Sequence, residues 1–209
     1  MNGDSLVIGQ TNAGKTSFCL RFARFLGLRE LQWMVERTDG VRERRRMPLS
    51  EAEQLLSSGD PHRTRELQTL FLPVPRGKAD RMVKVTDSAG LADGLHQDPT
   101  VRKAMAQTLR SMVDAKAIIH VIDAAMIGQE LHAMRDGKTF RLHALDEQML
   151  ALGRSRSAYI VLANKMDLPS AKDGLRWLKQ YFDKEKVIPI SAREGSGFHE
   201  VKRYVWRLV

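Results

Sequence analysis

The feature that most constrains the fold of this chain is the octapeptide at residues 9–16, which follows the pattern G-x-x-x-x-G-K-[ST]. This pattern forms a phosphate-binding loop (P-loop) where a β-strand is joined to an α-helix. The apolar residues 5–8 predict a buried strand before it, and the apolar side chains spaced along 15–26 predict one face of a helix after it. The octapeptide therefore predicts a strand–loop–helix unit that binds a polyphosphate.

The residue types within this loop predict how it would hold its ligand. Gly9 and Gly14 permit backbone conformations and a close approach that a Cβ atom would prevent. The loop N–H groups and the start of the helix attract negative charge. Lys15 is expected to reach the β- and γ-phosphates, and the Thr16 hydroxyl is expected to bind Mg²⁺. The other residues of this segment expected to bind the nucleotide are Asn12, Ala13 and Ser17.

A second motif, Asn164-Lys165-Met166-Asp167, follows the apolar run 159–163, which predicts a parallel strand buried on both faces. Ligands of such sheets bind beyond the carboxyl ends of the strands. Asp167 can accept hydrogen bonds from guanine N1–H and the exocyclic amine, whereas adenine would leave it unpaired at a cost of about 1–3 kcal/mol. Asn164 is expected to brace the neighbouring loops, with the Lys165 stem along the base. The chain is therefore predicted to bind GTP and GDP.

Two shorter motifs follow predicted strands at the positions that this reading requires. The D-x-x-G sequence begins at Asp87 and ends at Gly90. Asp87 is expected to hold Mg²⁺ through water, and the Gly90 N–H is expected to sense the γ-phosphate, so that hydrolysis releases the following loop. The S-A-R sequence begins with Ser191 and Ala192, and the N–H of its alanine is expected to contact guanine O6. Each of these two motifs alone is weak evidence for GTP binding. Together with the P-loop and the N-K-x-D sequence they form an ordered set, which is strong evidence.

The ordered motifs, spread over about residues 5–207, resemble the translation-factor-related class of small GTPases, in the branch of Era, MnmE and EngA. The resemblance implies a Ras-like domain, Mg²⁺-dependent GTP binding and slow hydrolysis of GTP to GDP. Asn12 stands where this branch carries an asparagine that helps to bind a monovalent cation, usually K⁺; a loop-capping asparagine is the alternative. Leu91 stands where Ras-like proteins have the glutamine that positions water, so that glutamine is absent.

The chain departs from this family in switch I, the segment that supplies a threonine to Mg²⁺ and the γ-phosphate. Thr38 stands at the usual distance after the P-loop lysine, but the next predicted strand begins much later. Residues 61–65 (Pro-His-Arg-Thr-Arg), just before that strand, resemble the T-T-R element of the family. Thr64 is therefore favoured over Thr38 as the catalytic and Mg²⁺-binding threonine. Residues 30–62 are then expected to be an insertion that contains a short helix at 48–58.

The length and the order of the predicted elements favour one GTPase domain over residues 1–209. Strands and helices alternate along most of the chain, and the strands at 67–75 and 81–87 form a predicted hairpin. We expect an α/β, Ras-like P-loop GTPase domain, whose mostly parallel central sheet has one antiparallel hairpin strand and helices on both faces. The polar, glycine-bearing segment 125–137 is expected to be a loop.

The charge of the chain bears on its partners. The net charge is +9 and the sequence pI is about 9.9, with one basic cluster at residues 42–46. Such a surface can attract ribosomal or other RNA, or anionic lipid, although a solvated charged face explains it equally well. The apolar runs are too short to span a membrane and Cys19 is the single cysteine, so a cytoplasmic location is expected.

Three roles are compatible with these features. The first is a GTPase switch that acts on the ribosome or another RNA particle. The second is a GTP-dependent switch for a protein or membrane partner, including a nucleotide-dependent dimer. The third is a GTP-binding scaffold that does not hydrolyse its ligand, which Lys15, Thr16 and Asp87 argue against.

Overall fold

The computed structural model of the protein describes residues 4–37, 41–56, 67–76, 79–87, 99–134, 139–155 and 158–207. The strands in these ranges are β1 (Asp4–Ile8), β2 (Glu30–Glu36), β3 (Arg42–Pro48), β4 (Leu67–Arg76), β5 (Ala79–Asp87), β6 (Ala117–Asp123), β7 (Ala158–Asn164) and β8 (Lys186–Pro189). The helices are α1 (Lys15–Phe25), α2 (Leu49–Leu56), α3 (Pro99–Asp114), α4 (Ala124–Ala133), α5 (Ala144–Arg154), α6 (Ala171–Tyr181) and α7 (Phe198–Arg207).

The strands form one mixed sheet in the order β3-β2-β4-β5-β1-β6-β7-β8. Each neighbouring pair from β5 to β8 is parallel, whereas β4 runs antiparallel to β5. Parallel neighbours need crossover connections, which the intervening helices supply. The predicted Ras-like α/β fold, with its mostly parallel sheet and antiparallel hairpin, is confirmed.

The two faces of the sheet are covered by different helices. Because side chains alternate along a strand, Val7 packs towards α1 and α7, while Leu6 and Ile8 pack towards α3 and α5. In β7, Ile160 and Leu162 face the first group, and Val161 and Ala163 face α4 and α6. The strand before the N-K-x-D motif is therefore buried on both faces, as its apolar run predicted.

The sheet is extended at one edge by a hairpin, β2–β3, that the sequence analysis did not predict. It lies within residues 30–62, where only a short helix was expected, and β2 pairs antiparallel with both β3 and β4. The period-two burial of Leu31, Trp33 and Val35 holds β2 against the core, whereas β3 is largely exposed. The strand β3 was not predicted because its sequence is rich in arginine. Charged side chains on an edge strand prevent pairing with other chains, and they give no apolar pattern that would indicate a strand.

The expected short helix at 48–58 is present as α2, described from Leu49 to Leu56. Leu49 and Ala52 are buried in the same core as α1, and the Leu49 N–H donates to the Arg29 carbonyl at 2.9 Å. This hydrogen bond ties the start of α2 to the start of the hairpin. The expectation that residues 30–62 are an insertion stays a prediction.

The expectation that 125–137 forms a loop is wrong for its first part, because residues 124–133 form α4. Asp123 caps this helix by accepting from the Met126 N–H at 3.0 Å. Gly128 suggested a loop, yet it allows α4 to approach α6, since a Cβ there would collide with the Ser170 carbonyl oxygen. A glycine that serves close helix packing and a glycine that serves a turn look alike in sequence. Of the helices in the described ranges, none has the length and apolar character needed to cross a bilayer.

Candidate nucleotide-binding site

The carboxyl ends of the parallel strands bring the predicted motifs to one edge of the sheet. The strand register sets Val7, near the end of β1, beside Asp87 at the end of β5. It also sets Asp123, at the end of β6, beside Asn164 at the end of β7. This edge is where open α/β sheets bind ligands. Motifs that are far apart in sequence therefore share one site.

The two glycines of the P-loop are required by its backbone. Gly9 has φ 149° and Gly14 has φ 94°, in the region that residues with a Cβ rarely adopt. A Cβ at Gly9 would collide with the Val121 carbonyl oxygen, and a Cβ at Gly14 would collide with the Asn164 amide. The loop is therefore wedged between β6 and the N-K-x-D motif.

Lys15 is held inside the loop that it is expected to serve. Its Nζ donates to the carbonyl oxygens of Gly9 at 3.1 Å and Gln10 at 2.8 Å, and the residue is 6% exposed. Burial lowers the pKa of Lys15, and the charge of Asp87 opposes this shift. The ammonium group thus lies within the P-loop, where an incoming phosphate could replace the carbonyl oxygens as its partner.

Thr16 and Asp87 form the pair expected to hold Mg²⁺. The Thr16 hydroxyl donates to Asp87 Oδ2 at 2.6 Å, and Asp87 is 2% exposed. The other oxygen, Asp87 Oδ1, is buried without a hydrogen-bond partner among the described residues. Burial raises the pKa of Asp87 to about 6, partly offset by Lys15 and Thr16. A hydroxyl and an unsatisfied carboxylate oxygen are the oxygen donors that Mg²⁺ accepts, so the residues fit the metal.

Asn164 joins three loops by hydrogen bonds. Its Nδ2 donates to the Ala13 carbonyl at 2.8 Å, and its Oδ1 accepts from the Ala192 N–H at 2.9 Å. Asn164 is 2% exposed, so both bonds lie in the interior. The P-loop, the N-K-x-D motif and the S-A-R loop are thereby held in one arrangement, which is the bracing role predicted for Asn164.

Asp167 and Lys165 are also positioned by neighbouring side chains. The Ser191 hydroxyl donates to Asp167 Oδ1 at 2.6 Å and accepts from the Glu194 N–H at 3.1 Å. Lys165 has φ 66°, and its Nζ lies 2.5 Å from Asp123 Oδ2. Ser191 therefore orients the carboxylate that is expected to read the base, a role that sequence reasoning did not assign to its side chain.

A pocket of about 360 Å³ lies among these motifs, in the range of small-molecule sites. Its lining includes the predicted residues Gly14, Ser17, Asn164, Lys165, Asp167 and Ala192. It also includes residues that the sequence analysis did not select, namely Leu20, Arg21, Glu53, Leu168 and Arg193. Glu53 comes from α2, so a helix outside the recognised motifs reaches the site. No motif could have revealed it, because only the packing of α2 on α1 brings it there.

A buried polar network that the sequence analysis missed lies behind the P-loop. Gln10 Nε2 donates to Asp146 Oδ2 at 2.5 Å, and His120 Nε2 lies 2.9 Å from Asp146 Oδ1. His120 Nδ1 lies 2.7 Å from the Tyr159 hydroxyl. Every partner is satisfied when Tyr159 donates to Nδ1 and Nε2–H donates to Asp146. The sequence signal that could have revealed this network is a histidine in the middle of the apolar strand β6, since a buried histidine needs hydrogen-bond partners.

Among the remaining predicted site residues, Asn12 is the one that the structure describes. Asn12 is exposed and has φ 63°, a left-handed conformation that asparagine tolerates better than most residues. This backbone requirement leaves both the cation-binding and the loop-capping interpretations of Asn12 open. Thr38, Thr64, Gly90 and Leu91 lie outside the described residues, so their expected roles in switch I and in catalysis stay predictions.

Comparison with known proteins finds the following similarities in sequence and in structure. No family model matches the chain. GTPase Obg of Alkaliphilus oremlandii (strain OhILAs) is 30% identical over 137 residues, which is 64% of this chain and 30% of that protein. An Aquifex aeolicus Era variant bound to GDP and AlF₄⁻ has a TM-score of 0.60 at 16% identity, covering 100% of this chain and 57% of that one. Era in complex with MgGDPNP and a 16S ribosomal RNA segment has a TM-score of 0.59 at 15% identity, covering 99% and 56%.

These similarities confirm the resemblance to small P-loop GTPases of the translation-factor-related class. The chain spans about a third of the length of the Obg proteins that it matches. The activity and partners of those whole proteins therefore enter only as proposals.

Proposed function

We propose that this protein binds GTP, hydrolyses it to GDP and acts as a molecular switch. The observation that carries the proposal is the pair of hydrogen bonds in which Asn164 donates to the Ala13 carbonyl and accepts from the Ala192 N–H. They join the loop expected to bind phosphates to the loops expected to bind guanine, so the two halves form one site. The site residues agree with the ligand, because Lys15 offers a cation to the phosphates and Asp167 offers a carboxylate to the base.

In this proposal Thr16 and Asp87 would hold Mg²⁺, which would neutralise charge on the β- and γ-phosphates. Thr64 is the proposed switch I ligand of Mg²⁺, and the Gly90 N–H is proposed to sense the γ-phosphate. Leu91 has no hydrogen-bonding side chain with which to orient water. Asn12 is therefore proposed to hold a K⁺ ion beside the phosphates, in place of the positive charge that an arginine finger supplies elsewhere.

The proposed partner is ribosomal RNA or another RNA particle. The net charge of +9 and the exposed arginines of β3 support it, because basic surfaces attract phosphate backbones. The likeness to Era agrees with this partner, since one Era structure contains a 16S ribosomal RNA segment. Co-sedimentation with ribosomal subunits, with GDP against a non-hydrolysable GTP analogue, tests the partner. Binding that weakens steeply with salt supports RNA, whereas salt-independent binding favours an apolar protein interface.

Base selection tests the nucleotide part of the proposal. GTP and GDP should bind, and ATP should not compete measurably. The variant Asp167→Asn should shift the preference towards xanthine nucleotides, because its amide offers a donor where xanthine carries an acceptor. Circular dichroism controls for the fold of the variant. Comparable binding of ATP and GTP by the wild-type protein would refute the guanine assignment.

A further inference from the structure

The β2–β3 hairpin presents a basic surface on the face of the sheet that is turned away from α1 and α2, here called the outer face. The buried residues of β2 pack in the core that contains α1, so Gln32 and Met34, which alternate with them, point to the outer face. Residues directly opposite in antiparallel strands share a face, which places Arg46 beside Gln32 and Arg44 beside Met34.

A pocket of about 400 Å³ lies on this surface, in the size range of ligand sites. Its lining residues are Gln32, Trp33, Arg44, Arg45, Arg46 and Phe71. Phe71 of β4 points to the outer face, because Leu70 and Leu72 on either side of it are buried in the core with α1. Among the described residues, this pocket and the nucleotide pocket share no lining residue. The second pocket therefore combines arginines with a half-buried aromatic ring.

Arg44 is the central cation of this surface. On one side of it, Arg42 Nε donates to Glu36 Oε2 at 2.8 Å. On the other side, Arg46 Nε donates to Glu30 Oε2 at 2.8 Å. Arg44 itself is exposed and forms no ion pair within the described part of the chain. Exposed ion pairs are weak, so phosphate groups can compete for the flanking arginines as well as for Arg44.

The residue types of the pocket fit a single strand of RNA better than an acidic peptide. Guanidinium groups bind phosphates through two parallel hydrogen bonds. The unpaired bases of a single strand stack on aromatic rings and on arginine planes, and Phe71 offers such a ring. The Gln32 amide has both donors and an acceptor for the edge of a base. An acidic peptide would use the arginines alone.

Building on the proposed RNA partner, we propose that the outer face of the β2–β3 hairpin binds a single-stranded RNA segment, with Arg44 on a phosphate and Phe71 against a base. The helix α2, which contributes to the nucleotide pocket, lies on the other side of the sheet. RNA and nucleotide are therefore bound at the same time.

Fluorescence anisotropy with the 209-residue protein tests the contact of Phe71 with a base. The probes are a labelled oligouridylate of about 12 nucleotides and an abasic ribose-phosphate oligomer of the same length. The wild-type protein should bind the oligouridylate roughly tenfold more tightly, which is the effect of stacking one base. Phe71→Leu keeps an apolar side chain without the ring, so it should lose most of this preference.

The same assay over a range of salt concentrations tests the contact of Arg44 with a phosphate. Arg44→Ala should weaken both probes and reduce the slope of log affinity against log salt by about 0.7, the value for one phosphate contact of a single strand. Arg203→Ala is the matched control, because Arg203 is also exposed but belongs to α7, which packs on the opposite face of the sheet. This control should bind both probes nearly as the wild-type protein does. Far-UV circular dichroism checks the fold of each variant.

The outcomes separate this surface from a general attraction of charge. Equal losses for Arg44→Ala and Arg203→Ala would overturn the proposal and leave an RNA partner in place. Equal affinity of the wild-type protein for the two probes would contradict the stacking on Phe71 and overturn it as well. Displacement of the oligouridylate by polyglutamate of the same length and charge would identify an acidic protein as the occupant instead. Failure of the wild-type protein to bind either probe would refute the proposed RNA partner, and this surface with it, without bearing on GTP binding.

Discussion

Replacement of Asp146 tests whether the buried network behind the P-loop holds the fold together. Asp146 is 2% exposed, and its two oxygens accept from Gln10 at 2.5 Å and face His120 Nε2 at 2.9 Å. The variant Asp146→Ala removes both acceptors at once. It leaves the His120 ring, which is fully buried, with a donor that has no partner.

The expected loss of stability follows from these two broken contacts. A buried donor left unsatisfied costs about 1–3 kcal/mol, and His120 is inaccessible to replacement water. The Gln10 amide is partly buried, so water can replace its partner and the cost is nearer about 0.5–1 kcal/mol. The sum is about 1.5–4 kcal/mol, a large share of the 5–15 kcal/mol typical of a folded domain. Asp146→Asn retains one acceptor and should lose less.

Urea denaturation without nucleotide, followed by far-UV circular dichroism, measures this change. With a denaturant slope of about 2 kcal/mol/M, the urea midpoint of Asp146→Ala should fall by about 0.8–2 M. The matched control is Asp173→Ala, because both aspartates are the third residue of a helix, in α5 and α6. Asp173 lies on the surface, so its variant should unfold near the wild-type midpoint. Equal midpoints for the two variants would show that the network does not stabilise the fold.

Three further predictions concern the P-loop and its helix. Lys15→Ala should abolish or greatly weaken GTP binding, since it removes the cation of the loop, and it should leave the circular dichroism spectrum unchanged. Unchanged affinity for tritiated GTP would refute the P-loop assignment. Cys19 is 2% exposed and burial raises the pKa of its thiol, so a thiol reagent at pH 8 should label it only after unfolding; rapid labelling of the native protein contradicts the packing of α1. GTP hydrolysis should run faster in KCl than in NaCl at equal ionic strength. Asn12→Ala should remove most of this difference in rate without weakening nucleotide binding. Equal rates in both salts, with and without a partner, would exclude the K⁺ mechanism.

Local sequence was sufficient to predict the elements of the fold whose residues follow a regular pattern. The continuous apolar run of β7 predicted a strand buried on both faces, because every one of its side chains meets a covered face of the sheet. The P-loop predicted its flanking strand and helix because Gly9 and Gly14 adopt backbone angles that few other residues tolerate. The motifs likewise predicted that Asn164 would brace other loops.

Other elements depended on contacts that no local pattern encodes. The helix α4 was mistaken for a loop, because the need for Gly128 arises only where α6 packs against it. The strand β3 was missed because its arginines carry no apolar period, and pairing with β2 alone holds it in the sheet.

The chemistry predicted for the candidate site follows from local sequence alone, since phosphate and guanine recognition depend on residue types at fixed spacing within short loops. The side chains that surround these loops are set by the packing of elements far apart in the chain. This packing brings Glu53 of α2 into the pocket and sets Asp146 and His120 behind Gln10. In sequence, these side chains lie dozens to more than a hundred residues from the P-loop. Their approach follows from the packing of whole helices and strands, which is settled by the burial of the entire core rather than by the residues in contact.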